Sequence, residues 1–236
     1  MTRIDITTRD LHQLIAPVLP HASTDASIPE LNVVRFETSG MTVHAVATDR
    51  ATMAATRRPV GFIDDCVIHI DRTDCIAMLK LFTFTKEEDP DLTLILDQVT
   101  VPVGNTSLSA LALRIDSQDG TRLVLHDRRV PGQPTALDGW RKVIGKVLHR
   151  EQTVGAPALL LAPAMLPRWS KAAAGKGERL TVFCGPDPSD SILVAVEQHF
   201  IGVWVPAGHL DAGGDLLDGN PWRDELPAPA SAAEPT

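Results

Sequence analysis

The chain has 236 residues, 44% of them hydrophobic and 22% charged, which suits a globular protein large enough for one large or two small cored domains. No apolar run approaches the roughly 18 residues that cross a bilayer, and the opening "MTRIDITTRD" has no apolar signal segment. The net charge of −8 argues against general affinity for nucleic acid, but it is unevenly spread: eight Lys or Arg between Arg141 and Arg179 face only Glu151 and Glu178, and six acids follow Ala207 against one Arg.

Residues 3–6, "RIDI", read as a short strand. In the following "TTRDLHQLIAPVL", Leu11, Leu14, Ile15 and Val18 recur at helical spacing, with Thr8 as the expected N-cap and Pro17 and Pro20 limiting the helix. Alternation then predicts strands at 32–38, 41–48 and 51–58, the first two joined at Ser39-Gly40. The order repeats: strand "CVIHI" (66–70), helix "DRTDCIAMLKLF" (71–82), and strands at 92–97, 99–104 and 108–115. A third round follows: "ALLLA" (158–162), the helix "PAMLPRWSKAAA" (163–174), and strands at 179–184, 191–197 and 200–206.

Counting from the strand ends Ile6, Ile70 and Leu161, the fifth residue on is Leu11, Cys75 or Leu166 and the eighth is Leu14, Met78 or Trp169. The chain therefore reads as three β-α-β-β-β units. The expected fold class is α+β, with helices on one face of antiparallel sheets. The expected organisation is a complete two-unit domain over 1–130, an irregular connector over 131–157, a half domain over 158–207, and an acidic, Pro/Ala-rich tail over 208–236 without regular structure.

Candidate chemistry is sparse. "AAAGKGERL" (172–180) has the Gly175-Lys176 pair of a phosphate loop but neither the earlier Gly nor the Ser or Thr after the Lys. Cys66 and His69 lie three apart on a predicted strand and so face opposite ways, and the other histidines form no HxxxH-type cluster. Cys66, Cys75 and Cys184 are odd in number and form no CxxC pair, which favours a reducing cytoplasm over a disulfide framework. Neither a metal nor another cofactor is expected, and no catalytic constellation is legible.

Taken together, "FETSGMTVHAVATDRATMAATR", "CVIHIDRTDCIAMLKLF" and the closing "SILVAVEQHFIGVWVP" resemble the bacterial DNA polymerase III β sliding clamp. In that family each domain pairs two β-α-β-β-β halves, helices line a ring, and strands form its outside. The resemblance to the middle family domain runs from about residue 3 to 148 through "ALDGWRKVI", and "ALLLAPAMLPRWSKAA…FIGVWVP" resembles the second half of the last domain.

The resemblance implies a non-enzymatic processivity or recruitment factor of a bacterial or phage replication system. Thr48, Met53, Val143, Val203, Val205 and Pro206 match the family's apolar pocket for short linear peptides of polymerases and other replication proteins. Arg9, Arg72, Lys80, Arg168, Lys171 and Lys176, on or beside predicted helices, would hold duplex DNA through its phosphates without reading bases. The family's ring has twelve half-units, so a homotetramer would supply the number and a monomer could not encircle DNA. The alternative reading is a clamp-derived adaptor or decoy that binds replication proteins without embracing DNA.

Overall fold

The computed structural model describes residues 2–103, 106–129, 134–148, 165–173, 178–184 and 190–205. Strand β1 (Thr2–Thr7) leads into helix α1 (Thr8–Ile15), and β2 (Val33–Ser39), β3 (Thr42–Thr48) and β4 (Thr52–Pro59) follow. The second unit is β5 (Cys66–Asp71), α2 (Arg72–Leu81), β6 (Asp91–Val103), β7 (Thr106–Ser117) and β8 (Arg122–His126). After α3 (Trp140–Leu148) come α4 (Leu166–Ser170), β9 (Leu180–Phe183), β10 (Ile192–Val196) and β11 (Phe200–Trp204). No helix among the described residues is long and apolar enough to cross a membrane.

Local chemistry explains the boundaries. Thr7, rather than the expected Thr8, caps α1: its hydroxyl accepts from the Asp10 backbone N–H at 3.2 Å, because Thr8 already lies inside the helix with its own hydroxyl bonded to Pro90 O. Asp71 caps α2 by accepting from Thr73 N at 2.8 Å. Gly40 turns β2 into β3 at a φ of 61°, a conformation glycine adopts without a Cβ penalty.

The strands expected at 92–97 and 99–104 are one continuous strand, β6, because Asp97 and Gln98 pair in register with Ala112 and Leu111 instead of turning. Two elements lie where the sequence suggests neither strand nor helix. One is β8, which completes the second unit; the other is α3, whose Trp140, Ile144 and Val147 form a buried stripe. The expected strand 158–162 and the tail lie outside the described residues.

The strands form two antiparallel sheets, one ordered β1-β6-β7-β8 and the other β5-β2-β3-β4-β11-β10-β9. β4 and β11 pair from Thr52↔Trp204 to Thr56↔Phe200, so one seven-stranded sheet runs from the first units into the third. Its two faces alternate at period two. Val34, Phe36, Ala45, Ala47, Ala54, Val194 and Trp204 face the main core, shared with the four-stranded sheet, α1, α2 and Trp169 of α4. Val33, Val46, Met53, Ala55, Leu193 and Val203 face the opposite way and form a second core under α3.

Candidate functional site at the β4–β11 junction

The segment Thr48–Thr52 is a turn built from its own side chains. Arg50 sits at a φ of 74°, a left-handed conformation that costs a non-glycine residue about 1–2 kcal/mol. Offsetting bonds surround it: Thr48 Oγ1 accepts from Arg50 N at 3.2 Å, and Asp49 Oδ1 accepts from Ala51 N at 3.1 Å and Thr52 N at 2.7 Å. The Thr52 hydroxyl also donates to Asp49 Oδ1, at 2.9 Å.

The other Asp49 oxygen accepts from the Arg168 guanidinium of α4, which reaches Thr52 Oγ1 at 3.2 Å as well. His21 Nδ1 lies 3.0 Å from that Thr52 oxygen, and with the hydroxyl proton given to Asp49, Nδ1 is the donor. Asp49 and Thr52 thus tie the first unit to the third. Burial works against the Asp49 charge, but the bonds from Arg168 and Thr52 outweigh it and hold the carboxyl below its ordinary range. Burial, aided by the nearby Arg168 charge, pushes His21 down to about 3, so the imidazole is neutral at physiological pH.

On the main-core side the junction is plugged by Trp169. It stacks on Trp204 with ring centroids 5.9 Å apart and lies 4.5 Å from the His21 ring. A Cβ at Gly202 would fall 2.4 Å from the Trp169 ring, so this strand position excludes any larger residue as built. On the opposite face, a polar network anchors the start of α3. Arg35 donates to Glu37 at 2.9 Å and to Asp138 at 2.6 Å, Trp140 Nε1 donates to Glu37 at 3.2 Å, and Arg141 pairs with Glu37 while lying 4.3 Å over the Trp140 ring. α3 is thereby held across β2, β4, β10 and β11.

No protein-family model matches this sequence, and no curated protein does. Solved structures do. The β subunit of DNA polymerase III from Thermotoga maritima superposes with a TM-score of 0.62 at 11% identity, over 89% of this chain and 66% of the other. The sliding clamp of Pseudomonas aeruginosa gives 0.62 at 13% identity, over 88% and 67%. The C. crescentus β sliding clamp gives 0.60 at 11%, over 88% and 65%. The fold is that of a bacterial β sliding clamp. The chain spans about two-thirds of the length of the clamps it matches.

Within this clamp fold the expected groove residues differ in setting and exposure. Met53 and Val203 are cross-strand partners, both buried beneath α3. Thr48 is buried in the turn, its hydroxyl donating to Thr52 O at 2.7 Å. Val143 on α3 and Val205, whose N–H donates to Ala51 O, are 44% and 46% exposed. Pro206 lies outside the described residues. An apolar groove of about 320 Å³ does open on the same face of the sheet, but further along, between Trp140, Phe183, Leu193 and Ile201. None of the expected groove residues lines it.

The six expected phosphate contacts separate into engaged and open side chains. Arg168 is committed to Asp49. Arg9 lies 3.4 Å from the Asp89 carboxylate, donates to Thr85 O at 3.1 Å and packs over Phe84. Arg72 begins α2 with its Nε buried and without a hydrogen-bond partner. Lys80 and Lys171 are exposed. Lys171 and Arg9 line one cavity of about 380 Å³, together with His12 and Arg58, which the sequence alone did not single out. Lys176 lies outside the described residues. Glu178 and His199 also line that cavity, and their ligand atoms converge with that of Glu197 to within 4.8 Å of one another. Chain spacing gives no sign of this, because Glu178 comes from ahead of β9 and the other two from the β10–β11 turn.

Proposed function

We propose that the chain is a clamp-like processivity or recruitment factor of DNA replication, which receives short linear peptides of replication proteins in an apolar groove at the β4–β11 junction. The observation that carries this reading is the junction itself. β4 and β11 form one sheet, α3 is anchored over it, Met53 and Val203 are buried, and Val143 on α3 and Val205 after β11 are exposed. Exposed apolar anchors around a packed floor suit a peptide with one or two large apolar side chains, for which a central anchor contributes about 2–4 kcal/mol.

Binding of a labelled clamp-binding peptide, read by fluorescence anisotropy, tests it. Val143→Asp and Val205→Asp should each weaken affinity at least about tenfold. Absence of binding by the unaltered protein would end the reading.

In this proposal duplex DNA contacts the helical side through Lys80 and Lys171, the exposed cations among those expected residues that the structure describes. The second reading, an adaptor or decoy that does not encircle DNA, draws support from Arg9 and Arg168, whose charges are already paired within the chain. Retention on a nicked circular plasmid at high salt, lost on linearisation, separates the two: encirclement gives it and electrostatic contact does not.

A further inference from the structure

The strand register of the third unit brings together three side chains that lie far apart along the chain. β9 pairs with β10 from Leu180↔Val196 to Phe183↔Leu193, and β10 pairs with β11 from Val196↔Phe200 to Ile192↔Trp204. Continued two residues back from Leu180, the same register sets Glu178 level with Gln198, the middle of the turn formed by residues 197–199. Arg57 N donates to His199 O at 3.1 Å and ties that turn to β4. Hydrogen-bonded strands thus hold all three side chains on a rigid frame.

One carboxylate oxygen of Glu178, one of Glu197 and a ring nitrogen of His199 consequently all lie within 4.8 Å of one another. Among the described residues this is the only place where three His, Cys, Asp or Glu side chains meet so closely. Glu178 and His199 are half-buried and Glu197 is exposed, so the cluster has a supported side and a side open to solvent. Two carboxylates at this separation repel each other, and a cation between them reverses the sign. The Arg58 guanidinium, whose charge also bears on Glu178, is shared with Gln13 at 2.6 Å and Asp10 at 3.9 Å.

We propose that Glu178, Glu197 and His199 form a divalent-metal site, with Zn2+ the ion that the donor set fits. Imidazole and carboxylate are ordinary zinc ligands, whereas Mg2+ and Ca2+ take oxygen shells, and two carboxylates balance the charge of the ion. Tetrahedral zinc holds its donor atoms about 3.3 Å apart. Glu178 Oε1 and His199 Nε2 are 4.0 Å apart, a closure within reach of side-chain rotation. Three protein ligands leave a fourth position for water. Bound there, the ion clips the chain ahead of β9 to the β10–β11 turn, in the unit whose helix α4 buries Trp169 alone. The proposal is independent of peptide and DNA binding.

Calorimetric titration of ZnCl2 into the full chain, freed of metal with EDTA, provides the test. One equivalent per chain should bind saturably. Glu197→Gln and His199→Gln should each weaken zinc binding at least about tenfold while circular dichroism stays unchanged. His126→Gln, at an exposed histidine on β8, and Cys184→Ser, just after β9, should leave it intact. No saturable zinc binding overturns the proposal, as does binding that survives the Glu197 and His199 substitutions or is lost with His126→Gln or Cys184→Ser instead.

Discussion

In the paired units α1 buries Leu11, Leu14 and Ile15 completely, and α2 does the same with Cys75 and Met78, so their shared core is spread over two helices and two sheets. In the third unit α4 is five residues long and offers one large buried side chain, Trp169, while the rest of the unit leans on what it borrows. It takes β4 as a sheet neighbour, Asp49 as partner for Arg168, and α3 as cover for Leu193 and Val203. The same order of elements thus produces two kinds of stability. One is mutual and distributed; the other is concentrated at a junction, where single substitutions act most strongly.

The largest expected effect follows from the plug. Trp169→Ala should destabilise the protein by about 3–5 kcal/mol, the usual range for emptying a buried aromatic site, seen as a lower urea midpoint. A comparable truncation in the distributed core, Met78→Ala, should cost about 2–5 kcal/mol without loosening the third unit selectively. Amide exchange distinguishes them: early loss of protection confined to β10 and β11 is expected only for Trp169→Ala. Equal loss throughout both variants would break the comparison.

Next comes Gly202→Ala. The added methyl meets the Trp169 ring from the other side, and overpacking of this kind costs about 1–3 kcal/mol, measurable by the same denaturation.

The His21 imidazole offers a test by pH. Its folded pKa of about 3 lies below the unfolded value of about 6.5, so the unfolded chain binds the proton first. Its contribution is therefore complete above about pH 6.5 and is lost progressively as pH falls towards 3. Between pH 7 and pH 5 the loss should be on the order of 2 kcal/mol. His44, also lowered by burial, adds to it with the same sign. The depressed carboxyls Asp49 and Glu37 titrate only below their ordinary range and leave this window clear. Urea midpoints at the two pH values check it, and His21→Gln should flatten most of the difference.

The smallest stability effect belongs to Lys80→Ala. An exposed lysine at the end of α2 should change stability by no more than about 0.5 kcal/mol, yet weaken salt-sensitive DNA association if the helical side carries that role. Unaltered DNA association across a salt titration would remove Lys80 from the interface.

Most of the strand pattern was legible from short β-branched and apolar runs bounded by turn residues, although "VVRFETS", "TVHAVAT" and "TMAATRRP" are buried on both faces and so alternate only weakly. α3 was missed although Trp140, Ile144 and Val147 follow helical spacing. The Pro, Gly and charged residues just before it look like a loop, and its stripe acquires meaning only against the outer face of a sheet assembled from distant strands. β8 was missed for a related reason: as an edge strand it buries only Leu125 well, and a weak alternation is all that remains in the sequence. The turn at Thr48–Thr52 was recognisable as punctuation, but its partners His21 and Arg168 lie 31 and 116 residues from Thr52. No local rule joins them.

By itself, then, the sequence determined the α+β class, the helices α1 and α2 and most of the strands, because these follow from local sterics and from which face of an element must leave water. Only the tertiary structure decided which of the described cations remain open, that Met53 and Val203 are buried under α3 while Val143 and Val205 are exposed, and that the third unit rests on Trp169 and Asp49. Those properties depend on pairing across long stretches of chain, where burial and charge are set by neighbours that spacing along the sequence does not name.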